Sequence, residues 1–122
     1  MSLLLAVTMV LAGCSDAEDR LDATVHSFAE ALSRGDADAA ADLTSDPTAA
    51  SATLGELFAS LGSDVTFRPD RVHAVDSEGG FALGATWTFG PDDAHEWTYT
   101  TDGEATADGQ EWKIRWDPAV VA

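Results

Sequence analysis

Apolar residues along this chain follow three successive rhythms. Residues 1–13, MSLLLAVTMVLAG, form an unbroken apolar run without charge, and Cys14 is followed at once by the acidic stretch SDAEDR. From residue 18 to residue 34 the apolar positions become periodic. Leu21, Val25, Phe28 and Leu32 recur at steps of four, three and four, which is the stripe of an amphipathic helix. Arg34-Gly35 closes that helix with a cation at the negative end of its dipole and then a residue free to take a left-handed cap. Asp36 caps a second, short helix through Leu43, which is rich in alanine and so favourable for helix. Thr44-Ser45-Asp46-Pro47 breaks the chain and restarts it, the aspartate capping and the proline taking the first turn. This third helix is expected to bury Leu54, Leu57, Phe58 and Leu61 and to end at Gly62. Gly55 in its interior costs up to ~1 kcal/mol relative to Ala.

After Gly62 the rhythm alternates. Val65 and Phe67 alternate with Thr66 and Arg68 before Pro69, and a second stretch runs over residues 71–75. Ser77-Glu78-Gly79-Gly80 is expected to turn the chain into a long strand over 81–89, with Phe81, Leu83, Ala85, Trp87 and Phe89 on one face. Gly90-Pro91-Asp92-Asp93 turns it again, and residues 96–101 return with Trp97 and Tyr99 facing alike, the strand continuing towards Thr106. Asp108-Gly109 makes the next hairpin, and residues 111–116 place Trp112, Ile114 and Trp116 opposite Lys113 and Arg115. Helices followed by an antiparallel meander predict an α+β domain, with the helices packed on one face of a strongly curved sheet.

The 122 residues, 45% of them hydrophobic, suit one domain with a packed core. Charge narrows the partners. Six Lys and Arg stand against 22 Asp and Glu, a formal net charge of −16, so the cation clusters that nucleic-acid binding requires are missing. Anionic headgroups are repelled for the same reason, and attachment to a membrane must be apolar or covalent. The opening apolar run is too short to span ~30 Å of hydrocarbon, which takes about 20 helical residues, and fits the core of a secretory signal. Leu11-Ala12-Gly13-Cys14 resembles the lipobox of bacterial lipoproteins, which implies cleavage before Cys14 and lipid on its sulfur and amine. The missing Lys or Arg ahead of the apolar run departs from that pattern. The expected organisation is a lipoprotein signal peptide over 1–13, a tether over 14–19 and a folded domain over 20–122, held on the extracytoplasmic face of the cell membrane. Cys14 is the only cysteine, so no internal disulfide can form.

The order of these elements resembles a known family. The likeness is carried by the Arg-Gly-Asp break, the alanine-rich helix ending in Leu-Thr, the Asp-Pro restart, the meander with Trp97-Thr-Tyr99, and the run W-K-I-R-W-D-P-A-V-V from Trp112 to Val121. It is similar to the nuclear-transport-factor-like N-terminal domain of class B penicillin-binding proteins of the methicillin-resistance type. The resemblance implies a cystatin-like cone of helices and curved sheet, and a non-catalytic spacer holding a peptidoglycan D,D-transpeptidase away from the bilayer. It also implies that the W-K-I-R-W-D-P-A-V-V run leads the last strand out towards the transpeptidase. The sequence ends at Ala122, where the family's catalytic domain would begin, so the expectation is a spacer truncated before it.

The chemistry of the residues agrees. The penicillin-binding nucleophile needs Ser-x-x-Lys on one helical turn, but the only lysine is Lys113 and position 110 is Gln110. His95-Glu96 begins like a zinc-protease helix, yet position 99 is Tyr99, and His26, His73 and His95 fall on three elements, so no metal or other cofactor is expected. The aromatic set Trp87, Trp97, Tyr99, Trp112 and Trp116 either lines a pocket at the mouth of the cone or fills the core beneath the helices, the plainer reading. A pocket enzyme would need an internal acid or base, and only Asp22 or His26 on the first helix could reach in. The sequence thus points to a lipid-anchored spacer or scaffold of the cell-wall machinery, with the transpeptidase as candidate partner. The alternative is a stand-alone small-molecule-binding or isomerase-like protein of the same fold.

Overall fold

The computed structural model describes residues 2–90 and 95–122, with side chains from Asp16 onward. Three helices, α1 (Ser2–Ser33), α2 (Ala37–Ala41) and α3 (Pro47–Leu61), precede four strands: β1 (Val65–Val75), β2 (Glu78–Phe89), β3 (His95–Asp108) and β4 (Glu111–Ile114). A single 3-10 turn, Pro118–Val120, follows. The strands form one antiparallel meander in the order β1-β2-β3-β4, with the helices against one face. The α+β class read from the sequence is the class observed.

The helix punctuation is built from the residues that signalled it. Gly35 takes φ +69°, and its N–H and that of Asp36 bond back to Leu32 O and Ala31 O, so a Schellman cap ends α1. Asp36 and Asp46 cap α2 and α3 by accepting from Ala39 N and Ala49 N. Leu21, Val25, Phe28 and Leu32 of α1 are fully buried, as are Leu83, Trp87 and Ile114 of the sheet. The α1 helix crosses the sheet from β1, where Ser33 meets Phe67, to β4, where Trp112 Nε1 donates to Ala17 O at 3.1 Å. Residues 14–19, expected as a tether, are accordingly helical, and Arg20 pairs with Asp16 at 2.7 Å one turn away. The signal and lipid-attachment expectations for residues 1–13 and Cys14 concern side chains outside the described residues. Among the described residues no helix is long and apolar enough to cross a membrane.

Three boundaries differ from expectation. The first hairpin turns at Asp76-Ser77, with Asp76 at φ +57°, and Glu78, Gly79 and Gly80 belong to β2. These glycines serve close approach: a Cβ on Gly79 would collide with the Leu21 side chain, and one on Gly80 would lie 2.8 Å from the His73 ring. In α3 the buried contact is made by Ala50 and Leu54, while Leu57, Phe58 and Leu61 are half-buried. Small side chains let α3 seat on α2, and its last two turns, with Phe58 against Trp87, are only partly covered. Finally, β4 stops at Ile114, and Trp116 lies beyond it, half-buried, with its N–H on Ser45 Oγ. The expected Gly90-to-Asp93 turn falls, after Gly90, outside the described residues.

Both sheet edges are partly blunted. Along β4, Ile114 N donates to Leu43 O and Ser45 N to Ile114 O. Along β1, Phe67 N donates to Ser33 Oγ at 2.9 Å, and two residues on, at the next outward position, Pro69 has no donor to leave free. A bulge between Asp70 and His73, with Arg71 at φ +49°, then shifts the register.

Candidate functional site

Inward-facing positions of the sheet decide whether the cone can hold a ligand. By register, Val65, Trp87 and Trp97 share one row and Phe67, Ala85 and Tyr99 the next, followed by Leu83 with Thr101 and Phe81 with Gly103. Trp87 is fully buried, meeting Phe67 edge-on at 6.1 Å and Phe58 at 6.3 Å. Phe28 and Leu54 complete a solid interior beneath the helices. The five aromatics of the sequence do not converge on a common pocket. Trp87 and Trp112 fill the core, Tyr99 and Trp116 are half-buried, and Trp97 is 50% exposed and lies tilted against Tyr99, with ring centroids 4.8 Å apart. Neither Asp22 nor His26 reaches inward: they pair with each other at 3.4 Å on the solvent side of α1.

What occupies the mouth is the segment after β4. Asp117 caps the Pro118–Val120 turn by accepting from Ala119 N, and Val120 and Val121 turn back under the sheet, both buried. The W-K-I-R-W-D-P-A-V-V run therefore folds onto its own domain at this point, where the resemblance implied an outgoing strand. Thr101 Oγ1 donates to Val120 O and Tyr99 Oη to Val121 O, each at 2.6 Å, while Trp87 Nε1 donates to Tyr99 Oη at 2.9 Å. Burial raises the Tyr99 pKa above its ordinary value, and the bond from Trp87 opposes that shift in part. Thr101, Val120 and Val121 are the residues that sequence reasoning missed. Two signals pointed to them: Thr101 continues the inward phase of Trp97 and Tyr99, and Asp117-Pro118 repeats the Asp46-Pro47 cap signature.

A second feature lies on the face turned away from α1. A groove of about 1040 Å³ runs between Arg71 and His73 of β1 and Arg115 and Asp117 past β4, over Ala82 and Asp102. The bulge in β1 sets His73 opposite Gly80, which leaves room for its ring. The charges are mixed and solvated: Arg115 pairs with Glu104 at 2.9 Å, and both are about 70% exposed. Among the described residues no cluster of His, Cys, Asp and Glu is arranged to hold a metal ion.

No family model matches the chain, and no curated protein matches its sequence. Solved structures do match its shape. A cystatin-fold protein of Novosphingobium aromaticivorans, described as uncharacterized, superposes with a TM-score of 0.60 at 11% identity, covering 79% of this chain and 95% of its own. An NTF2-like protein with a cystatin-like fold from the same organism gives 0.61 at 11% identity, with 94% and 86% covered. The epoxide hydrolase/cyclase-like enzyme SalBIII, which has a role in pyran ring formation in the polyether salinomycin, gives 0.57 at 13% identity, with 84% and 94% covered. The chain has the cystatin-like, NTF2-like fold, and that fold supports an enzyme in at least one similar protein.

Proposed function

We propose that this chain is a non-catalytic spacer or scaffold domain, tethered by lipid on Cys14 to the outer face of a bacterial cell membrane and serving penicillin-binding, peptidoglycan-building machinery. One observation carries the non-catalytic part. The concave face, where this fold would present a reactant, is filled by Trp87, Phe28, Val120 and Val121, and the groups that reach it are hydroxyls and an indole N–H. Acid–base chemistry needs a carboxylate, imidazole or amine within reach of the reacting atom, and among the described residues the inward group that titrates is Tyr99, held as a neutral donor. The cell-wall part is supported by the sequence resemblance alone, above all by the tail from Trp112 to Val121 and the lipobox-like Leu11-Ala12-Gly13-Cys14.

The test is expression in a bacterial host fed labelled palmitate. The natural chain should carry label and sediment with membranes, and Cys14→Ser should lose both properties. An unlabelled natural chain in the cytosol would overturn the tether, and a covalent adduct with labelled penicillin would overturn the non-catalytic reading. The groove beneath Ala82 favours a second reading, a small-molecule-binding protein of the same fold, as does the enzyme among the similar structures. Saturable stabilisation by a small ligand that is abolished by Arg71→Ala would favour it.

A further inference from the structure

We propose that residues 118–122 are a displaceable plug, and that the concave face beneath them is a binding site for a short, uncharged apolar peptide offering two consecutive carbonyl groups. The inference goes beyond the spacer reading and does not depend on Cys14.

Every backbone N–H of the plug from Val120 to Ala122 bonds within the segment, to Asp117 O or Pro118 O. No ladder bond ties the segment to the sheet. What holds it is two buried valine side chains and two hydroxyl donors, those of Thr101 and Tyr99, which stand two residues apart on the same face of β3. That spacing presents donors to successive carbonyls, Val120 O and Val121 O. The indole N–H of Trp87 occupies a lone pair of Tyr99 Oη, so the phenol hydrogen is left to point at the plug. Gly103, beside Thr101, has no side chain because the Phe81 ring and a Val120 methyl fill the place a Cβ would take. The face is therefore shaped around an apolar residue and keyed by two donors, and these features would read a peptide from elsewhere as well as this one. An occupant of the vacated face displaces the water on both hydroxyls, and one without an acceptor leaves them buried and unpaired, which selects for a carbonyl-bearing occupant over a pure hydrocarbon.

The experiment uses the double substitution Val120→Asp and Val121→Asp to expel the plug, with acetyl-Pro-Ala-Val-Val-Ala-amide as the probe. Saturable binding is expected, with amide shifts centred on Tyr99 and Thr101. Adding Thr101→Val should weaken it about 10-fold, the loss of one buried hydrogen bond. A folded double variant that ignores the peptide, or binding indifferent to Thr101→Val, overturns the proposal. If the double variant does not fold, hydrogen exchange of the natural chain decides. Val120 and Val121 amides should exchange about 100-fold or more faster than those of Leu83 and Ala85, the mark of local opening. Equal rates would make the segment a fixed part of the core and overturn the proposal.

Discussion

The concave face of the sheet is covered twice, by unlike means. Along β1, and across to β4, lies α1, whose four-residue stripe from Leu21 to Leu32 joins Phe67, Leu83 and Ile114 in one apolar cluster, with hydrogen bonds at its two ends from Phe67 N to Ser33 and from Trp112 to Ala17. Over the middle of β3 lies one 3-10 turn, fixed by two hydroxyls and two valines. The helix is a continuous element whose own ladder satisfies its backbone, so its burial is lost only when the domain unfolds. The turn bonds its N–H groups within residues 117–122 and gives two carbonyls to Thr101 and Tyr99, so no ladder bond holds it to the sheet. Burial alone thus does not tell how each cover is held; where the hydrogen bonds go does.

The contrast can be broken first at its larger end. Phe28→Ala should cost about 3–5 kcal/mol, since it opens a cavity among side chains that cannot close up, and should lower the urea midpoint of the whole domain. Val121→Ala should cost less, about 1–2 kcal/mol, and its mark should be local: faster exchange at Val120 and Ala122 while Leu83 stays protected. A matched loss at Leu83 would merge the two halves into one unit. The finest test is chemical. Tyr99 is the only tyrosine, so alkaline difference absorbance reads it alone. Because its folded pKa is raised, folding keeps the proton that the unfolded chain releases, so its contribution is whole below pH 10.0 and falls as pH rises through the folded pKa. Tyr99→Phe should remove that alkaline decline and cost about 1 kcal/mol near neutrality, as the bonds to Val121 O and from Trp87 are lost.

Much of this was legible in the chain. The stripe from Leu21 to Leu32, the caps at Asp36 and Asp46 and the phase of Phe81 to Trp87 follow from local rules, and each stands where those rules put it. Gly79-Gly80 misled because glycine marks both a turn and a close approach, and only Leu21, far away in sequence, and His73, across the hairpin, tell which. Leu57, Phe58 and Leu61 have the period of a buried stripe, but seating α3 on α2 leaves them only half covered. The five aromatics suggested one site because a strand pattern gives the face of a residue and not its depth. Trp87 and Trp97 share a row, yet Trp87 is buried against Phe58 of α3 and Trp97 is 50% exposed.

In the first half of β1, Ser33 takes the Phe67 donor and proline supplies none at position 69. Strands recruit other strands through spare amides, and here the accessible border has been blunted where it is straightest. Neighbouring copies find fewer free amides along that stretch for growing into a fibre. Substituting the single hydroxyl at Ser33 would restore one.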